Sequence, residues 1–399
     1  MKVKFFDAKN GDAIQLITDN QENIIIDMGY PETYANYIKK HIKEINEANL
    51  RVDLLIISHI DQDHIGGAIS FLQDISRNGF NKNIIKEIWL NSYKHLSLSH
   101  VEKIGDQDYR ILKQLKDKYE AENKRENNLV DDKKISAKQG STLAGLIYKL
   151  NILWNASFDR TVISGVKEIS INGLNIIILT PNKNILKRLK RAWRNELLKS
   201  KCDLQFGEDE LFDDAFEYFL LNEDVIEDDT SQNISSDRKE KFQDLLKLGV
   251  NMDLTEDKSV TNASSISFII EDSDKRILLT ADATDNDLYN ALKNLSDDGV
   301  SMEFDLIKLS HHGAEKNNSK WLSIVKAKYY VISTDSSRHN HPDLGSFVNI
   351  IINNMEGHKI ICFNSSIEVI KELNNPVLME KYNYSLLMPN QDWGIEIEL

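Results

Sequence analysis

Short apolar runs recur along this chain, and polar turns cut them apart. Val3 to Phe6 predicts a first strand. Asp7 to Ala13 predicts a turn, and the alternation from Ile14 to Thr18 predicts a second strand. After a turn at Gln21 to Asn23, Ile24 to Ile26 predicts a buried strand ending in Asp27-Met28-Gly29. Closely spaced strands of this kind suit an antiparallel start to a sheet. Tyr34 to Ile45 carries apolar residues at helical spacing. Leu54 to Ile57 is wholly apolar, which suits a strand buried on both faces. A helical pattern follows from Ala68 to Ile75, and Ile84 to Asn91, with Trp89, predicts the next strand.

Leu143 to Leu150 predicts a short helix, and Trp154-Asn155 opens an irregular stretch. Val166 to Ile171 and Leu174 to Leu179 predict a hairpin turning at Asn172-Gly173. Ile266 to Ile270 and Arg276 to Thr280 predict a second hairpin. A helix from Asp285 to Leu295 and a buried strand from Phe304 to Leu309 follow. Beyond these, the pattern predicts a helix at Trp321 to Lys326 and a strand at Tyr329 to Ser333. A helix at Phe347 to Met355 and a strand at Lys359 to Phe363 come next. Met379 to Leu387 and Gly394 to Leu399 are expected as edge strands or an extension.

Two stretches break this rhythm. Val101 to Lys134 is highly charged, with Leu and Ile at helical intervals, and predicts solvated amphipathic helices. Lys183 to Lys201 is strongly basic, with Leu186, Leu189, Trp193 and Leu197 on one helix face. Asp203 to Asp229 then holds many acids and no Lys or Arg. The expected organisation is one domain, 1–399, with a helical insertion at 101–150 and a charged insertion at 183–260 that flanks the active site.

Composition narrows the class. Apolar residues make up 41% of 399, so a substantial core is expected. The formal charge is −14, so nucleic acid would need a local basic patch. That patch is expected at Arg188, Arg191 and Arg194, although a plain solvated helix neutralised by the acids after it is the favoured alternative. Cys202 and Cys362 form no metal or redox motif, which suggests a reducing compartment. No apolar run reaches the roughly 18 residues of a membrane span, and the first residues turn charged too soon for a signal peptide. A cytoplasmic protein is the expectation.

The chemistry concentrates after the strand at Leu54 to Ile57. His59, Asp61, Asp63 and His64 occupy six positions, and Gly66-Gly67 follows. Strand, polar loop, helix is the layout of a site at the C-terminal edge of a sheet. Two imidazoles and two carboxylates supply nitrogen and oxygen ligands, which suit zinc, manganese or iron. Further along, Asp282 ends a strand and His311-His312-Gly313 ends another. His341-Pro342 lies in a later loop. His95, His100 and His339 are treated as ordinary loop histidines.

These motifs resemble the metallo-β-lactamase fold superfamily, whose common signature is His-x-His-x-Asp-His. Asp61 stands where the second His would be. That variant, with Ile-Gly-Gly behind it, is similar to the hydrolase domain of the ComEC family of DNA-uptake channel proteins. Asn262-Ala-Ser-Ser265, Thr280-Ala281-Asp282, His311-His312-Gly313 and His341-Pro342 extend the likeness over perhaps 240 residues. Ala281 stands where the family carries Gly, and Ala314 where it carries Ser. The resemblance implies an α/β fold, a four-layer αββα sandwich, here with a charged helical insertion.

It also implies two divalent ions, Zn or Mn. His59 and Asp61 would hold one, Asp63 and His64 the other, and Asp282 would bridge. His311 is the first choice to complete the set and His341 the second. Asp27 is a candidate support for the ligands. The implied reaction is hydrolysis by water activated between two metals, with His312 or His341 as proton donor. DNA or RNA is the expected substrate. A small ester, lactone or phosphocholine-type substrate is the alternative, as is a metal-bound subunit of a multi-protein system. The likeness to effectors of bacterial antiviral defence operons implies protein partners from the same operon, and the lack of a long apolar run leaves no membrane expected.

Overall fold

The computed structural model describes residues 1–96, 143–171, 173–199, 256–338, 341–353, 357–368 and 370–399. His100, Asn172, Cys202, His339 and most of both expected insertions lie outside these residues. The described strands in the first half are β1 (Lys2–Phe6), β2 (Ala13–Ile17), β3 (Asn23–Met28), β4 (Val52–Ile56), β5 (Glu87–Trp89), β6 (Leu153–Trp154), β7 (Lys167–Ile171) and β8 (Leu174–Thr180). In the second half they are β9 (Ser267–Asp272), β10 (Lys275–Leu279), β11 (Glu303–Lys308), β12 (Lys326–Ile332), β13 (Lys359–Phe363), β14 (Tyr384–Leu387) and β15 (Gly394–Glu398). The chain is an α/β fold with two mixed sheets and helices, as the fold class read from the sequence requires.

The chain divides into two compact units, and the division falls within β3. The first holds Met1–Ile26, Ser164–Lys183 and Asp228–Leu399. Its eight-stranded sheet runs β14-β13-β12-β11-β10-β9-β8-β7. The strands from β7 to β10 pair antiparallel, and those from β10 to β14 pair parallel. The core on one side includes Ile269, Leu278, Ile307, Tyr330, Phe347 and Phe363. Separately, β1 pairs antiparallel with both β2 and β15. The parallel register sets Leu279 beside Lys308, and Lys308 beside Val331. Three strand ends therefore deliver Asp282, His311-His312 and Ser333 to one sheet edge.

Met379 to Leu387, expected as an edge strand or an extension, is strand only in its second half. Its first half closes the helix Pro376–Tyr382, and only Tyr384–Leu387 is strand. Asn375 caps that helix through its side chain, and Pro376 fixes the first turn, so local capping overrides the apolar pattern.

The second unit holds Asp27–Ile163 and Asn184–Glu227. Here β4, β5 and β6 run parallel, with Ile56 beside Trp89 and Ile88 beside Trp154. The helix Gln62–Ser76 begins six residues before the expected Ala68. Asp61 keeps extended backbone at φ −83 and ψ 148, and Asp63 lies in the first turn. An acid there suits the exposed N–H groups of a helix start. Half of the expected polar loop is thus helix. The helix Lys183–Lys199 buries Ile185, Leu186 and Leu189. Among the described residues, no helix is long and apolar enough to cross a membrane.

Candidate metal-binding residues

In the second unit, β4 runs into Ser58, His59, Asp61, Asp63 and His64, all of them buried. Asp27 organises them. It sits in left-handed backbone at φ 52, a region Asp enters more readily than most residues. Its carboxylate accepts from the Ser58 N–H at 2.8 Å and the Ser58 hydroxyl at 2.6 Å. His64 Nδ1 lies 2.8 Å from Asp27 Oδ2. An ionised carboxylate only accepts, so Nδ1 donates and Nε2 is left with its lone pair. The Ser58 proton is spent on Asp27, so the hydroxyl accepts from His59 Nδ1 at 3.0 Å. His59 Nε2 then faces Asp61 Oδ2 at 3.1 Å. A nitrogen lone pair turned toward a carboxylate oxygen is a place for a proton or a cation. Asp61 Oδ1 is buried and has no hydrogen-bond partner among the described residues. His64 Nε2 lies 4.0 Å from Asp63 Oδ1.

The glycines serve this arrangement. The Gly67 N–H donates to the Gly29 carbonyl at 2.8 Å. A Cβ on Gly67 would run into the Met28 carbonyl. Only glycine lets the helix approach the turn that presents Asp27.

In the first unit, Asp282 follows β10. The cap position of the helix Asp285–Asp297 is Thr284, so Asp282 does not cap it. His312 Nδ1 lies 2.9 Å from the Ser333 carbonyl, which only accepts, so Nε2 is again the outward nitrogen. It faces Asp282 Oδ2 at 3.6 Å. Burial opposes a charge on His312, but Asp282 and then Asp12 outweigh it and raise the ring above the usual histidine range. His311 differs. Burial pushes it down to about 4, against the pull of Asp282 and Asp257, so it is neutral at neutral pH. The His311 ring lies 5.5 Å from that of His341 and 5.7 Å from that of His312. His341 Nδ1 lies 3.6 Å from Asp343 Oδ2.

The backbone here is strained. Ala281, His311 and His312 adopt φ of 46, 44 and 55. Such conformations cost about 1 kcal/mol or more each and gather where side-chain placement matters. A glycine at position 281 would carry no such cost.

Both donor sets fit a divalent ion. The second unit offers buried carboxylate oxygens beside two imidazole Nε2 atoms whose Nδ1 is already committed, and the first offers the buried Asp282 carboxylate beside the neutral His311 ring.

Sequence reasoning missed Lys308, which is fully buried and donates to Asp12. Its Nζ also lies 3.3 Å from the Ala281 carbonyl and 3.9 Å from Asp282 Oδ1. A lysine closing an apolar strand was the available signal. His95 is buried rather than exposed, with Nδ1 3.1 Å from Ser92 Oγ at the start of a short helix. Arg188 and Arg191 are exposed on the basic helix, and the Arg194 side chain lies outside the described residues.

A family model described as the metallo-beta-lactamase superfamily matches residues 14–134. The match contains His59, Asp61, Asp63 and His64 and stops before Asp282 and His311. No curated protein matches this chain. Similar solved structures include the metallo-beta-lactamase fold protein YhfI from Bacillus subtilis, at 10% identity and a TM-score of 0.37 over 100% of this chain and 98% of that one. Zn(2+)-bound PqqB from Methylobacterium extorquens is similar at 9% identity and a TM-score of 0.39, over 100% of both chains. CmlA, a diiron β-hydroxylase from Streptomyces venezuelae, is similar at 9% identity and a TM-score of 0.37, over 100% of this chain. This chain spans about half of CmlA, at 54% of its length.

Proposed function

We propose that this chain is a metal-dependent hydrolase acting on phosphodiesters, with DNA or RNA as substrate. The ligands in this reading are His59, Asp61, Asp63 and His64 from the second unit and Asp282 and His311 from the first. Zn or Mn is the proposed metal, and the Asp61 carboxylate favours the harder ion. The observation that carries the reading is the fixed orientation of the imidazoles. His59 and His64 each commit Nδ1 to an acceptor and turn Nε2 toward a carboxylate.

Bound ions would supply Lewis acidity that lowers the pKa of water toward neutrality and spreads developing negative charge. The chain's own residues do the rest. Asp27 and Ser58 hold two rings in one tautomer. His312, raised above the usual histidine range by Asp282 at 3.6 Å, is the proposed donor to a leaving oxygen. His341 is the second choice for that role.

The phosphodiester preference rests on the Asp61 variant and on the His-His-Gly and His-Pro stretches, which are similar to the ComEC-type hydrolase domain. A role in antiviral defence, with protein partners from the same operon, belongs to this reading too. The exposed Arg188 and Arg191 support a grip on a phosphate backbone. Their apolar neighbours Leu186 and Leu189 are buried, so the basic side of that helix faces out.

The test is cleavage of labelled single- and double-stranded DNA and RNA with added manganese or zinc, against Asp63→Ala. The expected result is metal-dependent cleavage by the wild type alone. Metal-loaded protein that leaves all four polymers intact would overturn the nucleic-acid assignment and favour a small ester or lactone. Neutralising Arg188, Arg191 and Arg194 together is expected to flatten the salt dependence of binding. An unchanged slope would make the helix a solvated face only.

A further inference from the structure

Asp257 belongs to the charged insertion of the sequence, where nothing marked it for a role. In the first unit its side chain is buried beside His311, with Oδ2 3.6 Å from His311 Nδ1. Its neighbours are unusually committed. Oδ2 accepts from Asn262 Nδ2 at 3.0 Å and from Asn317 Nδ2 at 3.0 Å. Oδ1 accepts from the Ser259 N–H at 2.9 Å and lies 3.7 Å from Lys316 Nζ.

These bonds fix a chain of orientations. A carboxylate has no proton to give, so both amide nitrogens must point at it. The Asn317 amide nitrogen is thereby assigned, and its oxygen falls on the other side, 3.2 Å from His311 Nδ1. An amide oxygen also only accepts. His311 Nδ1 must therefore carry the proton, and Nε2 carries the lone pair. Asn317 cannot flip without setting its oxygen against the carboxylate. It is fully buried, so no solvent compensates such a flip.

We propose that Asp257, held by Asn262 and acting through Asn317, is a positioning residue that fixes the tautomer of His311 and turns its Nε2 outward as a ligand. This gives Asn262 of the Asn-Ala-Ser-Ser stretch a function. It also ties the end of the charged insertion to the donor set. The tautomer claim stands on hydrogen bonding alone, and only its consequence for metal rests on the proposed ligand role of His311.

The test uses the full metal-free chain with 15N-labelled histidine. Long-range 15N–1H correlation spectra report which ring nitrogen is protonated, and His311→Gln assigns the signal. The wild type is expected to show His311 with a protonated Nδ1. Asp257→Ala is expected to move the ring toward the Nε2–H form that free imidazole prefers. Asp257→Asn retains an acceptor oxygen and is expected to restore part of the wild-type signal. In parallel, chelator competition with manganese is expected to show 10- to 100-fold weaker binding for Asp257→Ala, roughly what loss of a ligand's supporting partner costs. An unchanged His311 tautomer in Asp257→Ala overturns the proposal. A changed tautomer with unchanged manganese affinity upholds the positioning and removes His311 from the ligand set. Should Asp257→Ala fail to fold, Asn262→Ala keeps the carboxylate and removes one donor. A smaller shift in the same direction then supports the proposal, and no shift overturns it.

Discussion

The two donor sets are built differently. In the second unit the donors come from one short stretch, and Asp27 with Ser58 satisfies the rings from close by. In the first unit the candidate donors follow two strand ends, a third supplies the Ser333 carbonyl that holds His312, and the set carries its own cation, Lys308. It also carries strained backbone at Ala281, His311 and His312. The first arrangement is secured by hydrogen bonds between near neighbours. The second is secured by the sheet, by charge and at the expense of local strain. A contiguous motif keeps its geometry cheaply, whereas a dispersed one needs the whole fold.

Removal of the internal cation is expected to have the largest effect. Lys308→Met would leave buried Asp12 without its ammonium. Leaving a buried charge uncompensated costs about 3–5 kcal/mol. Urea denaturation of the metal-free protein should register that loss, and added manganese should recover part of it. Unchanged stability would mean that Lys308 is not needed to balance the acids.

A smaller effect is expected at Asp27. Asp27→Asn weakens the acceptor for His64 and Ser58, and metal affinity should fall by about 10- to 100-fold. Isothermal titration would read it. Affinity within twofold of wild type would remove Asp27 from the account.

The third expectation concerns pH. Burial, then the charge of Asp343, raise Glu315 from its ordinary 4.5 to about 7. The folded protein thus prefers the protonated acid. The stability this contributes is complete below about 4.5 and is lost as pH rises through about 7. Glu315→Gln should remove that loss, stabilising the protein above pH 7 by roughly 1 kcal/mol once solvent screening is allowed for. Identical stability profiles across pH 4 to 9 would contradict it.

The smallest effect is expected at Ala281→Gly. Relief of the left-handed conformation is worth about 1 kcal/mol, partly offset by the greater freedom of glycine when unfolded. Thermal unfolding should show a modest gain. A loss would mean that the Ala281 methyl packs favourably enough to outweigh the strain.

Much of the fold was legible because buried strands are short, apolar and bounded by turns. β4, β11 and β13 fall where the pattern put them, within two residues at each end. The helix that starts at Gln62 was placed six residues late because its first turn is filled with polar, ligand-type residues that interrupt the apolar period. The motif at His59 to His64 stands out in the sequence because its candidate donors are contiguous. Lys308, Asp12 and Asp257 were not, because each is an ordinary residue until the sheet or a loop carries it to a partner. Asp27 stood between, visible as a strand-end acid but undecided until His64 Nδ1 was found beside it.

Both candidate donor sets are expected to hold metal. Elemental analysis and titration of the purified full chain with manganese and with zinc test it most directly, with Asp282→Ala as comparison. Two equivalents in the wild type and fewer in the variant, with the core still folded, are the result expected here. A wild type that binds neither metal, or a variant that binds both equivalents unchanged, would contradict it.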